Sequence, residues 1–442
     1  MNVLNMIAGF YREKQKFIFL VILWLIAGAY FRPVSLFLVL GSIFLFKLQQ
    51  DYEDMLFGFY IVLYLSDSYI DNLSFAHDSK PLYIFAMALF FFLSRKDFPE
   101  FNKFIYSFLP FCILALFLIS RSDVASVCWQ KTVSYILLLL LVPNFVSKLY
   151  RDHGSIFFRH LILMLAMLLF VALIYKYFGW YPVGGGRFQG FLGNPNAMGV
   201  FCTVFFGLYM VVRQYFQELF SRGENIFILL LIALSTYYAD SRNAIFSIAI
   251  FVFFFRFYKI SPFLGFIIFI AVLFSYGFLM ANYHEIIEYF GLGTILREDS
   301  LESGSGRLVA WAFGWEEIQK NFFFGKGFAH EEFIYYFGDN QLKLNLLGHE
   351  GASHNSYLAM WLNTGLFGLV LFMSALVSKF IRASKNSFIA FPLLFSVLFS
   401  ANFESWLVGS LNPYTILLLI ALTIMTSDEF NLEERKAPVS LF

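Results

Sequence analysis

Apolar runs about as long as a bilayer crossing recur along the whole chain, separated by short polar segments. A typical run is LILMLAMLLFVALIY at 161–175, which does not alternate as a barrel strand would. Continuous apolar stretches of about 17–25 residues are typical of membrane-spanning helices. The pattern predicts fourteen spans, near 17–31, 33–46, 55–66, 81–94, 104–120, 132–147, 156–175, 198–212, 225–239, 243–255, 261–281, 355–378, 387–401 and 411–426. Because the first pair is closely spaced and the third span is short, we expect 12–14.

The distribution of basic residues between the spans predicts the orientation of the chain. Short cytoplasmic loops collect Lys and Arg. With a cytoplasmic N-terminus, the inside segments together with the inner end of the span 156–175 hold 19 of the 31 basic residues. The first span follows Arg12, Lys14 and Lys16 without a small-residue cleavage site, so we interpret it as retained. Both termini are therefore predicted to be cytoplasmic. Four polar segments then fall on the external face, at 178–197, 239–243, 282–354 and 402–410.

Composition strengthens this interpretation and excludes other classes. Of 442 residues, 60% are hydrophobic and only 14% are charged, whereas a soluble domain carries about 25% charged residues. We therefore predict an all-α polytopic membrane protein, a single integral membrane domain over 1–442 with a large loop at 282–354. A net charge of +1 without a basic stripe argues against a nucleic-acid partner. The three cysteines show no metal-ligand spacing.

The segment GGGRFQGFLGNPNAMG, at 184–199, joins glycines and one arginine to a turn sequence. Asn tolerates a left-handed backbone and Pro fixes its own φ, so this stretch predicts a tight turn with Asn196 as the N-cap of the next helix. A turn accounts for the Asn and Pro residues but not for Arg187. A glycine-rich backbone beside an arginine and a helix N-terminus can also bind an anion. Both interpretations stay open.

A second polar segment, DSRNA at 240–244, lies between two closely spaced spans. Asp240 and Arg242 could form an ion pair that orients the turn. Alternatively, Arg242 points into an external cavity, because basic residues at membrane depth usually face a water-filled interior.

In SGSGRLVAWAFGWEEIQKNFFFGKGF, at 303–328, apolar residues at 308, 311, 312, 315 and 318 follow helical spacing. We predict an amphipathic helix at the membrane surface that ends near Asn321. Arg307 in its first turn opposes the helix dipole, which hints at a role other than helix stability. The alternative is a surface helix with an incidental charge.

Polar residues also stand at the ends of two later spans. In HNSYLAMWLNTG, at 354–365, Asn355 or Ser356 can cap the helix, while His354 can pack as an interfacial ring or exchange a proton near neutral pH. In NFESW, at 402–406, Glu404 is either a polar anchor beside a belt residue, Trp406, or a carboxylate that orients cationic partners.

Taken together, these residues suit a diphosphate. Several arginines match phosphate oxygens bidentately and stabilise a diphosphate leaving group. Asp299 and Asp339 stand apart, and the aspartate pairs at 67/71 and 51/54 are too loosely spaced to indicate Mg²⁺. We therefore predict a site without metal or other cofactor.

The motifs GRFQGFLGNPNAMG, DSRNA, SGRLVAW…NFFFGKGF and HNSYLAMWLNTG, in this order, resemble the Wzy-type O-antigen polymerase and O-antigen ligase (WaaL) superfamily of bacterial membrane glycosyltransferases. The last motif matches a histidine and a glycine separated by ten residues, His354 and Gly365. The resemblance covers roughly 180–410. One departure is Phe322-Phe323-Phe324, where relatives often carry a proline before Gly325.

The resemblance implies a GT-C-like helical fold in the bacterial inner membrane, with a periplasmic active site. It implies donor and acceptor oligosaccharides linked to undecaprenyl diphosphate, contact with membrane lipids, and a polysaccharide chain-length regulator as a candidate partner. By matching position, Arg187, Arg242 and Arg307 would contact the donor diphosphate, with Asn196 beside them. His354 would activate the acceptor hydroxyl or stabilise the departing phosphate, with Glu404 as its candidate supporting carboxylate. Transfer would invert the anomeric centre.

The superfamily leaves the acceptor open. A polymerase transfers the glycan to another lipid-linked repeat unit, and a ligase transfers it to lipid A core. The polymerase is favoured by the Phe-rich chain, by the sequence RFQGFLGNPN and by the modestly basic external face. A transporter of lipid-linked sugars would show two related halves and midplane charges, and no such repeat is apparent. A glycan-binding scaffold without chemistry is a further alternative.

Overall fold

A computed structural model describes residues 3–178, 186–281, 307–336, 339–346 and 351–431. Within these residues the chain is helical and contains no strand. The helices are α1 Val3–Tyr30, α2 Arg32–Leu48, α3 Tyr52–Ser66, α4 Ser74–Leu93, α5 Leu109–Leu118, α6 Ala125–His153, α7 Ile156–Tyr177, α8 Pro195–Tyr215, α9 Arg222–Ala239, α10 Arg242–Ile260, α11 Pro262–Ala281, α12 Arg307–Lys320, α13 His330–Tyr336, α14 Asp339–Leu346, α15 Ser356–Ser384, α16 Ala390–Phe403 and α17 Pro413–Thr426.

Each of the fourteen predicted spans coincides with a helical segment, and the all-α polytopic class is confirmed. In the described ranges, six helices are long and apolar enough to cross a membrane: Lys103–Arg121, Ala125–His153, Ile156–Tyr177, Pro195–Tyr215, Arg242–Ile260 and Ser356–Ser384. Three shorter apolar helices are Pro262–Val272, Ala390–Phe403 and Pro413–Thr426. The number of 12–14 crossings stays a prediction, as does the assignment of 1–442 to one domain.

The chain divides into two compact units. The first comprises Met1–Leu109, Gln130–Ile245 and Gly409–Phe442. Its centre is formed by α3, α8 and α17, which are buried along nearly their whole lengths. α17 packs against α8 and α3, and α4 packs against α3. Aromatic side chains fill this core, and Phe57, Tyr60, Tyr64, Phe201 and Tyr209 are almost fully buried.

A cluster of buried charges ties three helices of the first unit together. The ammonium group of Lys14 on α1 lies 2.8 Å from Asp54 and 3.1 Å from Glu53, both at the start of α3. Glu53 also lies 2.8 Å from Nδ1 of His160 on α7. Charges buried together with their partners avoid much of the penalty of an isolated ion, so this cluster fixes how α1, α3 and α7 meet.

The second unit comprises Pro110–Trp129 and Phe246–Val408. Its main helix, α15, packs against α16, α12 and α13. An apolar cluster joins the loop helices to α15, and its buried members are Ala310, Phe313, Ile318, Ile334, Tyr335, Leu344 and Leu362. Of the predicted loop 282–354, residues 282–306, 337–338 and 347–350 lie outside the described residues.

The helical conformation of α15 is interrupted at Gly365, whose φ of 71° is left-handed. The loop after α12 takes over the freed hydrogen bonds: Leu366 N–H donates to the Phe322 carbonyl at 2.9 Å, and Gly327 N–H donates to the Asn363 carbonyl at 2.7 Å. A Cβ on Gly365 would lie 2.3 Å from the Phe323 carbonyl oxygen. Glycine at position 365 therefore permits both the break in α15 and the close approach of the loop at 322–325.

The predicted amphipathic helix is present as α12 and ends at Lys320, as expected. Its predicted apolar stripe is only partly right. Leu308 and Trp315 are about half exposed, but Ile318 is buried. The helix buries a different face, Ala310, Phe313, Gly314 and Ile318, against the rest of the second unit. α12 is thus apolar on two faces: one packs against protein, and the other, with Leu308 and Trp315, is exposed. Its contact with a membrane surface stays a prediction.

Candidate active site

In the second unit, the carboxylate of Glu404 joins two of the predicted site residues. One oxygen accepts a hydrogen bond from the Arg307 guanidinium at 2.9 Å, and the other lies 3.3 Å from His354 Nδ1. The Glu404 side chain is 13% exposed, while those of Arg307 and His354 are 21% and 31% exposed. A largely buried carboxylate thus holds a guanidinium and an imidazole that both remain within reach of a ligand.

Arg307 is the first residue of α12, where a positive charge opposes the helix dipole. Its guanidinium lies 5.8 Å from the centre of the Phe403 ring, next to Glu404 in the chain. The Glu404 carboxylate supplies the negative charge that is favourable at a helix N-terminus. The ion pair therefore compensates for the unfavourable position of this arginine and fixes the direction of its side chain.

His354 adopts a left-handed backbone conformation with φ of 47°. Such a conformation costs a non-glycine residue about 1–3 kcal/mol and persists only where its surroundings hold it. Directly after it, the side chain of Asn355 caps α15 by accepting hydrogen bonds from the N–H groups of Tyr357 at 2.9 Å and Leu358 at 3.1 Å. Asn355 is thus confirmed as the cap, and the αL turn places the imidazole before the first turn of the helix.

The backbone of Glu404 is bound to the start of α15. The Ser356 hydroxyl donates to the Glu404 carbonyl at 2.7 Å and accepts from the Leu407 N–H at 3.3 Å. The interpretation of Trp406 as a belt residue is wrong, because this side chain is 5% exposed and its indole N–H donates to the Ser400 hydroxyl. Burial within the protein, not an interface with lipid headgroups, explains this tryptophan.

The arrangement suits proton transfer at the imidazole. A carboxylate beside Nδ1 favours the tautomer that carries its proton on Nδ1, which leaves Nε2 as a hydrogen-bond acceptor or base. Nε2 lies beside Gly351, where a Cβ would approach it to 3.3 Å and where φ is 106°. A side chain at position 351 would therefore crowd the nitrogen that is proposed to exchange the proton.

Another histidine of the second unit, His330, is unsuited to that task. His330, at the start of α13, is 6% exposed, and burial together with the nearby Lys326 charge lowers its pKa to about 4. The ring is consequently neutral at physiological pH, and Lys326 forms an ion pair with Asp123 at 2.7 Å. The ion pair between Lys326 and Asp123 anchors the loop at 325–327.

In the first unit, Arg187 binds the end of α9. Its Nε donates to the Ala239 carbonyl at 3.0 Å, and one terminal nitrogen donates to the Asp240 carbonyl at 2.8 Å. Asp240 itself is left-handed, with φ of 46°, and ends the helix. A cation at a helix C-terminus satisfies its last carbonyl groups and matches the dipole, so this arginine has a clear stabilising role.

The predicted cap of α8 is wrong by two residues. Asn194, not Asn196, is the N-cap, and its side chain accepts from the Ala197 N–H at 2.8 Å. Pro195 occupies the first helical position, where its missing N–H costs nothing. Asn196 instead accepts a hydrogen bond from Arg187 at 3.2 Å, and Arg242 is the first residue of α10.

The structure thus brings Arg307, His354 and Glu404 together in the second unit, and Arg187 with Asn196 in the first. That all of them bind one diphosphate stays a prediction. Sequence reasoning missed Glu331, a buried carboxylate bonded to Ser353. Its only sequence signal is proximity to the motifs, which the exposed Glu332 shares.

Residues 227–373 match the sequence profile of the Wzy_C family, described as O-antigen ligase. The matched stretch includes Arg242, Arg307 and His354, while Arg187 and Glu404 lie outside it. None of the curated proteins compared with the chain is significantly similar to it. The match supports, over this segment alone, the superfamily that the motifs indicate.

Proposed function

From the premise that residues 227–373 carry the O-antigen ligase family domain, we propose that this protein is a surface-polysaccharide polymerase. It transfers a growing glycan from undecaprenyl diphosphate to a lipid-linked repeat unit at the periplasmic face of the bacterial inner membrane, with both termini cytoplasmic. The observation that carries the proposal is the bridging of Arg307 and His354 by Glu404. This arrangement supports a glycosyltransferase of GT-C type, because such a reaction needs an anion-binding cation beside a proton acceptor.

In this mechanism, the acceptor hydroxyl oxygen attacks the anomeric carbon of the donor glycan. The bond between that carbon and the diphosphate oxygen breaks, and undecaprenyl diphosphate departs with the bonding electron pair. His354, oriented by Glu404, accepts the hydroxyl proton through Nε2. Attack opposite the leaving group inverts the anomeric centre.

Arg307 stabilises the negative charge that develops on the departing diphosphate, because a fixed cation near the leaving oxygens lowers the barrier. Arg187, Arg242 and Asn196 are proposed as further diphosphate-binding residues on the strength of the motif resemblance. No metal takes part in the proposed reaction, since guanidinium groups supply the positive charge. A chain-length regulator remains a proposed partner on the resemblance alone.

A ligase is the second candidate, because the matching family is described as O-antigen ligase. Donor and chemistry would be the same, and lipid A core would be the acceptor. The two candidates differ in the acceptor, so products in the cell separate them.

The test is deletion of the gene followed by a gel of surface polysaccharide. For a polymerase, the lipid A core of the deletion strain carries a single repeat unit, and a plasmid copy restores long chains. If no polymer is attached while lipid-linked polymer accumulates, the protein is the ligase. Unchanged surface polysaccharide would refute both.

A further inference from the structure

Glu331 on α13 is a buried carboxylate that takes no direct part in the proposed transfer. It is 6% exposed, and its Oε1 accepts two hydrogen bonds from one residue, from the Ser353 N–H at 3.0 Å and the Ser353 hydroxyl at 2.8 Å. Ser353 is fully buried and immediately precedes His354. Burying a carboxylate is costly unless hydrogen bonds compensate for its lost hydration. The presence of a glutamate at this buried position therefore requires a physical explanation.

The hydrogen bonds of Ser353 fix the backbone on the N-terminal side of His354. While its N–H and hydroxyl bind Glu331, its carbonyl accepts from the Trp311 indole N–H at 3.0 Å. On the other side of His354, the Asn355 N–H donates to the Ser405 hydroxyl at 3.2 Å. The left-handed residue is consequently held between two anchored neighbours, and this defines the direction of its side chain.

Glu331 is itself held by the interrupted helix. Its N–H donates at 2.9 Å to the side-chain oxygen of Asn363, which is 2% exposed and lies two residues before the break at Gly365. Next to it, Ile334 and Tyr335 of α13 belong to the apolar cluster that packs on α15. A continuous set of contacts therefore runs from the broken segment of α15 through Glu331 to Ser353 and His354.

We propose that Glu331 is a positioning residue for glycan transfer: through Ser353 it sets the αL turn that brings His354 to Glu404. This inference rests on the proposed function. The acceptor oxygen of Glu331 is the required feature, since both bonds from Ser353 reach the same oxygen. A glutamine retains a carbonyl oxygen of the same reach, whereas an alanine retains none.

The experiment compares Glu331→Ala, Glu331→Gln and Ser353→Ala in the purified full-length protein reconstituted in lipid nanodiscs. The probe is the lipid-linked glycan extracted from the host strain that lacks this gene. Glu331→Ala is expected to lower kcat about 10- to 100-fold with donor KM within about twofold, because small displacements of a reacting group cost rates of this order. Glu331→Gln should recover kcat to within about threefold of wild type.

The matched control is Glu332→Gln, which changes the exposed neighbouring carboxylate on the same helix and should leave kcat unchanged. If Glu331→Ala does not fold, Ser353→Ala decides, because it removes only the hydroxyl bond and should lower kcat about three- to tenfold. Wild-type kcat in the folded alanine variants overturns the inference. So does a loss that Glu331→Gln fails to recover. If instead the wild type and Glu332→Gln transfer no glycan, the proposed function itself has failed.

Discussion

Arg307 and Arg187 both lie at helix ends, but at ends of opposite polarity. Arg187 binds the C-terminal carbonyl groups of α9, where a cation is favoured. Arg307 begins α12, where a cation is disfavoured, and a largely buried glutamate compensates for it. Helix stability explains the first arginine and does not explain the second. Local rules are most often broken at functional sites, so the comparison favours the proposed role of Arg307 in binding the donor diphosphate.

Arg307→Ala provides the sharpest test of this contrast and the largest expected effect. The account predicts at least about a hundredfold loss of glycan lengthening, since a charge that stabilises the leaving group is removed, while the protein still inserts in the membrane. Gels of surface polysaccharide from a complemented deletion strain measure it. Lys320→Ala, an exposed cation on the same helix, serves as control. Full chain length in Arg307→Ala would refute the role in phosphate binding.

Arg242 is proposed to bind the diphosphate because of the motif resemblance. Arg242→Ala is therefore expected to shorten the glycan as Arg307→Ala does.

Glu404→Gln should have the next largest effect. The amide keeps the size of the side chain but loses the charge that pairs with Arg307 and orients His354, so turnover is expected to fall about 10- to 100-fold. Rates measured on equal amounts of inserted protein test this, with Glu316→Gln as the exposed control on α12. Wild-type turnover in Glu404→Gln would show that the bridge is only structural.

Arg187→Lys should affect stability more than turnover. Lysine lacks the planar guanidinium with which Arg187 binds the Ala239 and Asp240 carbonyls and Asn196 together. We therefore expect an apparent destabilisation of about 1–2 kcal/mol and less than a tenfold loss of rate. Thermal unfolding in detergent, compared with Arg307→Lys, gives the readout. A larger loss of stability in Arg307→Lys would reverse the comparison.

The smallest expected effect is that of metal removal. EDTA should leave the turnover of the purified enzyme unchanged, because guanidinium groups carry the positive charge in the proposed mechanism. Among the described residues, no three His, Cys, Asp or Glu side chains group as a metal site. Inhibition by EDTA that Mg²⁺ reverses would overturn the metal-free mechanism.

Hydropathy predicted the helices well, because one-dimensional apolar runs determine spans in a membrane. The end of α12 and the cap at Asn355 also followed from local sequence. Asn194 and Asn196 could not be separated by residue type, since both flank Pro195 and only the observed helix start selects the cap.

Contacts between distant segments were beyond the sequence. The pair Arg307 and Glu404 lies 97 residues apart, and the bond from Ser353 to Glu331 spans 22. Sequence could identify Gly365 but not the backbone of Phe322 and Phe323 that fills the break beside it. Nothing in residue type distinguishes buried Glu331 from exposed Glu332. Such partners are determined by tertiary packing.

The central claim is that His354 and its carboxylate partner transfer glycan from a lipid diphosphate. The most direct measurement follows release of undecaprenyl diphosphate and glycan length together, with purified protein and lipid-linked glycan in nanodiscs. The account predicts one diphosphate released per unit added by the wild type and by His153→Ala, an exposed histidine control, and none by His354→Ala. Undiminished transfer by folded His354→Ala would contradict it.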